Sequence, residues 1–379
     1  MIVGGAGAMG QTVASTAAGF DEVTELVILD RDEDRAQALV NSLGSKAHCV
    51  RFDATDDDLT AHLGGVDAVV STLGPFTIFG RPVLEAVLEA GCTYLDINDD
   101  WEPTVDVLKL DEAARKAGVT AVIGMGASPG VSNVLATRAV TELDEVHDLV
   151  TGWALAGTTS PPSGATPSAA AMHLVHQCTG TIQAVENGRS AQVRPLQLLR
   201  LDYPNLGPID VRTVGHPEAI TLPRRFPGLR RCVNVMAGPG WWFDRLATLM
   251  DQVDTGALSM HDAACTIERG FAKPVDSPRT LHAPGLWAWA RGLREGQQRT
   301  AAVGLNRWPP GEMAGATGIP AAVVLQMLLR REVSGPGVVT PEDVVPFDLL
   351  MERLDPYYQF PVAGSVPLFT VVAQGGHSH

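Results

Sequence analysis

Four glycines in nine residues, "VGGAGAMGQ" at 3–11, pose the first question the chain raises. Such a run is either a flexible tail or a backbone kept bare so that something can lie against it. The residues that follow bear on the choice. From 1 to about 126, short β-branched runs ("MIV", "TELVILD", "HCVRFD", "DAVVSTL", "TYLDI", "VTAVIGM") alternate with Ala/Leu/Glu-rich helical segments. That is the rhythm of a parallel sheet with helices on both faces. Gly5, Gly7 and Gly10 then fall between the first strand and the helix "GQTVASTAAGF", spaced G-x-G-x-x-G. In that spacing the first glycine permits a tight turn, the second lets a pyrophosphate approach the backbone, and the third lets helix and strand pack closely. Ala8 and Met9 fill the positions between, and the free N–H groups of the helix N-terminus face the phosphates. Only three residues precede Gly4, fewer than a usual strand, so either the strand is short or its start lies upstream of this sequence.

A carboxylate in the right place strengthens the dinucleotide reading over that of a turn that binds nothing. The next strand ends at Asp30, 25 residues after Gly5, where the family of such folds holds the adenosine ribose. An acid there accepts from a 2'-hydroxyl and repels a 2'-phosphate, so the expected cofactor is NAD, with NADP possible because Arg31 stands beside it. Asp53 is expected to end the third strand near the adenine. Thr72, Leu73, Gly74 and Pro75 follow the fourth, at the edge where a doubly wound sheet changes direction and ligands bind. Asp96, Asp99 and Asp100 close the fifth, either for proton work or as helix caps.

Beyond residue 126 the rhythm changes to Pro/Gly-rich stretches and isolated tryptophans, as in a second domain with a mixed sheet. "GTTSPPSGATPS" (157–168) reads as a loop, either a lid over a cleft or a solvated excursion, and "SAQVRPLQLLRLDYP" as a strand-like segment. Trp241 and Trp242 read as packing residues. A helix is expected to begin near Pro320. In "VGHPEAITLPRRFPG" (214–228), His216 and Glu218 would share a face of an extended stretch, so that the carboxylate orients the imidazole, and Arg224 offers a fork for a substrate carboxylate.

Composition excludes other classes. Twenty-eight Lys+Arg against 43 Asp+Glu give a net charge of −15 with no basic run, which disfavours nucleic acid and anionic membranes. The apolar runs, such as "AAVVLQMLL", are shorter than a bilayer span and the N-terminus lacks a basic leader, so a cytoplasmic protein is expected. Five cysteines (Cys49, Cys92, Cys178, Cys232, Cys265) have no disulfide or metal spacing, and no metal site, G-x-S-x-G or Walker-type loop is found.

Taken together, "GGAGAMG", "GASPGVSNVLA" (126–136), "GHPEAITLPR" (215–224) and "TGIPAAVVLQMLLR" with "GVVTPE" resemble the motifs of the saccharopine dehydrogenase-like family, along nearly the whole chain. The resemblance implies a doubly wound parallel Rossmann sheet with a second mixed α/β domain. Its parts would be a dinucleotide-binding domain over 1–126, a substrate and dimerisation domain over 127–312, and a helical segment over 313–355 returning to the first. It also implies a homodimer, a small-molecule substrate, and hydride transfer at a C–N centre of an amino-acid-like or polyamine-like compound. Ser128 stands where saccharopine-reductase-like members carry Asp, and Asn133 where they often carry His. The lost carboxylate removes a partner for a substrate ammonium, so a carbon–carbon double-bond reductase is the alternative, and a dinucleotide sensor without turnover a third reading. The expected pocket lies between the two domains, with His216, Glu218, Asp99 and Arg224 as its catalytic set.

Overall fold

The computed structural model describes residues 1–155, 167–272, 283–358 and 367–375. The chain divides into two compact units, Met1–Val134 with Arg307–Leu368, and Leu135–Asn306 with Phe369–His379.

The first unit is built on an all-parallel sheet. Its strands are β1 (Ile2–Val3), β2 (Leu26–Asp30), β3 (Ala47–Arg51), β4 (Ala68–Ser71), β5 (Thr93–Asp96) and β6 (Thr120–Val122), with a seventh, Gly337–Val339, from the far end of the chain. In space they run Gly337–Val339, β6, β5, β4, β1, β2, β3. The chain thus winds outward from β1 through β2 to β3, then restarts at β4 and winds the other way, so the switch point lies between β1 and β4. Helices cover both faces of such a sheet, which is why every residue of β4 is buried, the apolar Ala68–Val70 and Ser71 alike. Three of the helices frame the switch point: α1 (Ala8–Ala17), α2 (Glu33–Leu43) and α3 (Phe76–Ala90). Asp32 caps α2 by accepting from Arg35 N at 3.0 Å.

Three local expectations change. β3 ends at Arg51, two residues before Asp53, because the Asp53 carboxylate closes a turn of its own with Thr55. The seventh strand arises within a segment expected to be helical. Its three residues are fixed by parallel pairing to β6 and by Asp111, which accepts from Val338 N at 3.0 Å. The long helix begins at Glu312, not near Pro320, and runs to Leu329 with Pro320 inside it. Close packing on α1 outweighs the local cost of that proline: a Cβ on Gly318 would lie 2.7 Å from Thr12 Cβ and 3.0 Å from Met9 O. By length and composition this helix is apolar enough to cross a membrane, but 67% of it is buried inside the fold.

The second unit carries a mixed sheet of β7 (Glu145–Ala154), β8 (Ile182–Glu186), β9 (Arg189–Val193), β10 (Leu198–Tyr203), β11 (Gly207–Val214), β12 (Arg231–Ala237), β13 (Leu286–Arg294), β14 (Gln297–Leu305) and the final strand Phe369–Gly375. The order is β10, β11, β12, β7, β13, β14, Phe369–Gly375, and β8 pairs with both β12 and β9. Among the described residues of this sheet, only β12 and β7 pair in parallel. The segment expected as one strand over 190–204 is divided between β9 and β10, with Pro195 and a left-handed Leu196 (φ 60°) at the break. Helices Ala169–Gln177, Gly240–Asp254 and Met260–Arg269 share an apolar core with Val214 and Met236 of the sheet. Trp242 packs edge-on against Phe243 and Phe271 in this region, a packing role as expected. Of the stretch read as a lid, 157–166 lies outside the described residues, while Ser168 caps the following helix.

Candidate active site

The glycines of the opening loop divide into those the protein needs for itself and one it does not. A Cβ on Gly10 would sit 2.5 Å from Gly4 O, 2.6 Å from Gly5 Cα and 2.8 Å from Thr72 Oγ1, and one on Gly5 would sit 2.8 Å from Ile28 Cγ2. Both positions are buried; Gly10 must stay bare for α1 to close on the loop after β1 and on Thr72, and Gly5 for the loop to pass over Ile28 of β2. Gly7 is different. It is exposed, its φ of −69° suits any residue, and its Cβ would meet nothing nearer than Gly4 O at 3.4 Å. Gly7 is the N-cap of α1, and neither a side-chain cap nor an acidic residue occupies that helix end. Ala8 is exposed and Met9 half-buried beside it. Gln11 Nε2 donates to Ala6 O at 2.7 Å and so pins the loop from behind, a contact that the sequence reading missed. The result is an open helix N-terminus over a bare backbone, the form that accepts a pyrophosphate.

Asp30 is drawn to the same loop: Oδ2 accepts from Ala6 N at 2.9 Å and Oδ1 from Asp32 N at 3.0 Å. The carboxylate is thereby fixed at the end of β2, with exposed Arg31 next in the chain. Thr72 Oγ1 donates to Gly4 O at 2.9 Å and ties the end of β4 to the loop, Leu73 packs its backbone against Gly4, and Gly74 and Pro75 are exposed ahead of α3. The structure therefore brings Gly5, Gly7, Gly10, Asp30, Thr72 and Leu73 together at the switch point. Asp53 is engaged locally, since Oδ1 accepts from Thr55 N and Oγ1 at 3.1 and 2.8 Å, and these bonds hold its carboxyl below the ordinary range.

Further along the same sheet edge, Asp96 is fully buried at the end of β5. Oδ1 accepts from Asn98 N (3.0 Å) and Gly124 N (2.7 Å), and Oδ2 from Tyr94 Oη (3.0 Å). Asp99 is half-buried in the loop that follows, and Asp100 is buried at the cap of the helix Trp101–Val107. Burial raises the Asp96 carboxyl from 3.8 to about 6 even though its three hydrogen bonds act the other way. A raised carboxyl favours the folded state when protonated. Its cost to stability is absent below pH 3.8, grows between 3.8 and about 6, and levels at about 3 kcal/mol above that. Asp96→Asn is expected to gain stability on the parent as pH rises from 4 to 7 in thermal melts. A parent-like slope in that variant would contradict the assignment.

In the second unit, β11 ends at Val214 and the helix Glu218–Arg225 begins after the corner Gly215–His216–Pro217. Gly215 is required there, because a Cβ would lie 2.6 Å from Ile182 Cγ2. Across this corner, and not along an extended strand, His216 Nδ1 meets Glu218 Oε2 at 2.9 Å. Their side chains are 4% and 0% exposed. The His216 ring stacks obliquely on Trp153 at 4.8 Å, and Asn234 steadies the helix start by accepting from Ala219 N at 3.1 Å while its amide donates to Thr151. With Nδ1–H donated to the carboxylate, Nε2 is the basic nitrogen of the ring. Arg224 is exposed in the last turn of the same helix, so the structure joins His216 to Glu218 but not to Arg224.

Residues 1–122 match the family model of the saccharopine dehydrogenase NADP binding domain. The carboxyaminopropylagmatine dehydrogenase of Synechocystis sp. is 25% identical, over 91% of this chain and 92% of its own length. The chain is thus similar to saccharopine dehydrogenases over its first 122 residues and to this relative along most of its length. The carboxynorspermidine synthase of Vibrio alginolyticus is 24% identical over 93% of this chain and 91% of its own. Apo saccharopine dehydrogenase (L-Glu forming) from Saccharomyces cerevisiae shares the fold, with a TM-score of 0.66 at 15% identity over 98% of this chain and 99% of that one. The protein is thus an oxidoreductase with an NAD(P) cofactor. Asn133, at the position noted for its departure from that family's usual residue, accepts from Gly130 N (2.9 Å) and donates to Glu342 (2.8 Å), binding the turn after β6 to the C-terminal return.

Proposed function

We propose that the protein moves a hydride to or from the C–N centre of an amino-acid-like or polyamine-like substrate. The observation that carries the cofactor half of this reading is Gly7, an exposed glycine with ordinary dihedrals and room for a Cβ at 3.4 Å from Gly4 O, at a helix N-terminus without a side-chain cap. The substrate half is supported by the relatives' names, which concern carboxylated polyamines. When bound, the nicotinamide supplies the hydride chemistry. The chain's own residues hold and orient: the backbone N–H groups of Ala8 and Met9, at the start of α1, take the pyrophosphate, Asp30 the adenosine ribose, and Thr72–Pro75 border the second ribose. His216, oriented by Glu218, moves the proton at the substrate nitrogen, with Asp99 as the alternative group and Arg224 for a substrate carboxylate. A screen of amines paired with keto acids or aldehydes, followed by oxidation of the reduced cofactor, tests the reading. Turnover confined to carbon–carbon double bonds would overturn it.

NAD is the proposed preference within NAD(P). Asp30 is held rigidly enough by Ala6 N and Asp32 N to place negative charge where a 2'-phosphate would lie. Calorimetric titration is expected to show NADH binding at least about tenfold tighter than NADPH, a difference of about 1.4 kcal/mol. The reverse order would remove Asp30 from that role. We also propose a homodimer acting in the cytoplasm, to be checked by analytical ultracentrifugation and by localisation of the tagged chain.

A further inference from the structure

The ends of β5 and β6 are joined by a single buried side chain. Asp96 Oδ1 takes Asn98 N and Gly124 N together, at 3.0 and 2.7 Å, and the Asp96 carbonyl takes Met125 N at 2.7 Å. Each of these amides opens a further set of ties. Asn98 donates its side-chain amide to Asp100 O (3.0 Å) and Thr104 Oγ1 (2.8 Å) and accepts from Asp100 N (3.2 Å), which fixes the loop carrying Asp99. Gly124 and Met125 lead into the turn at Gly126–Gly130, which is closed by Gly126 N on Pro129 O (2.9 Å) and leaves no room for a Cβ on Gly130, 2.2 Å from Gly126 O. Gly124 itself is left-handed (φ 66°), and a Cβ there would press on Pro129 at 2.9 Å. Asp96 pairs in register with Ser71, the last residue of β4, and so stands one strand away from Thr72–Pro75.

We propose that Asp96 is a positioning residue for the reaction: by accepting from both amides it clamps the loops after β5 and β6 at the carboxyl edge of the sheet, and thereby shapes the substrate side of the nicotinamide position. This rests on the oxidoreductase reading above. The clamp is a matter of shape, since both amides are held by Oδ1 alone while Oδ2 faces the Tyr94 hydroxyl. An asparagine with its oxygen in the Oδ1 place keeps both bonds, and its amide nitrogen can donate to the tyrosine oxygen.

The test compares Asp96→Ala and Asp96→Asn in the full chain by hydrogen exchange and steady-state kinetics. Asp96→Ala is expected to speed amide exchange over 97–100 and 124–126 at least about tenfold and to lower kcat/KM for the amine substrate by about tenfold or more. Its NADH affinity is expected to stay within about twofold of the parent, because the clamp is not part of the Gly5–Gly10 cradle. Asp96→Asn is expected to restore both readouts. If Asp96→Ala does not fold, Asp96→Ser, whose hydroxyl is too short to span both amides, takes its place. Unchanged exchange in these segments overturns the clamp, and so does an Asp96→Asn variant as impaired as Asp96→Ala, which would make the charge and not the shape the function. The oxidoreductase reading fails separately, on a parent chain that binds neither NADH nor NADPH, while the exchange arm still decides the clamp.

Discussion

Gly7→Val is expected to abolish dinucleotide binding in a protein that still folds, and Gly10→Val to do the reverse, damaging the fold first. Valine at 7 meets no steric bar from the protein: the dihedrals of −69° and 163° are ordinary for a β-branched residue, and the nearest heavy atom to the new Cβ is 3.4 Å away. Its methyl groups would occupy the space over the N-terminus of α1 where a pyrophosphate must approach the backbone. The loss should exceed about 100-fold in affinity, or about 2.7 kcal/mol, with little change in Tm. At Gly10 the new Cβ would press on main-chain atoms 2.5 and 2.6 Å away, which cannot rotate aside as a side chain can. A cost of about 1–3 kcal/mol or more is expected there from overpacking. Melting curves and NADH titrations of the two variants check the contrast, and a folded Gly7→Val chain of unchanged affinity would place the pyrophosphate elsewhere.

His216→Ala is expected to lower turnover by about 100-fold to 10,000-fold, the range for loss of a general acid–base group, with NADH affinity unchanged. The variant also leaves the Glu218 carboxylate, 0% exposed, without the imidazole 2.9 Å from it, and breaking a buried pair in this way costs about 3–5 kcal/mol. Stability and chemistry are therefore to be separated. Glu218→Gln retains a hydrogen-bond partner for Nδ1 but not the charge, and it should fold while shifting the acidic limb of the pH–rate profile. If folded His216→Ala and Glu218→Gln both turn over normally, the pair serves only to hold the corner between β11 and its helix.

The parts of the molecule that were readable in the sequence are those fixed by local chemistry repeated in order. Six short β-branched runs separated by helical segments became six parallel strands, and Gly5, Gly7 and Gly10 lie at the turn from β1 into α1, with Asp30 bonded to Ala6 N. What was not readable depends on partners distant in the chain. Gly337–Val339 is a strand only because β6 lies beside it, and three residues between Pro336 and Thr340 carry no periodic signal of their own. Pro320 reads as a helix start, yet contact with α1 extends the helix back to Glu312. The tie between His216 and Glu218 was foreseen, but its route through a helix start was not, since the spacing of two residues fits either geometry. Asp96 stood in the sequence as one of three acids at a strand end. Its role shows only in the bond that it accepts from Gly124 N, 28 residues further along the chain.

The most direct test of the account is a hydrogen-exchange footprint of saturating NADH on the full chain. Protection is predicted at the amides of residues 4–11 and 30–32, where the bare loop, the N-terminus of α1 and Asp30 meet, and it should vanish in Gly7→Val. Absence of protection in this loop with NADH and NADPH alike, or protection that persists in Gly7→Val, would contradict it.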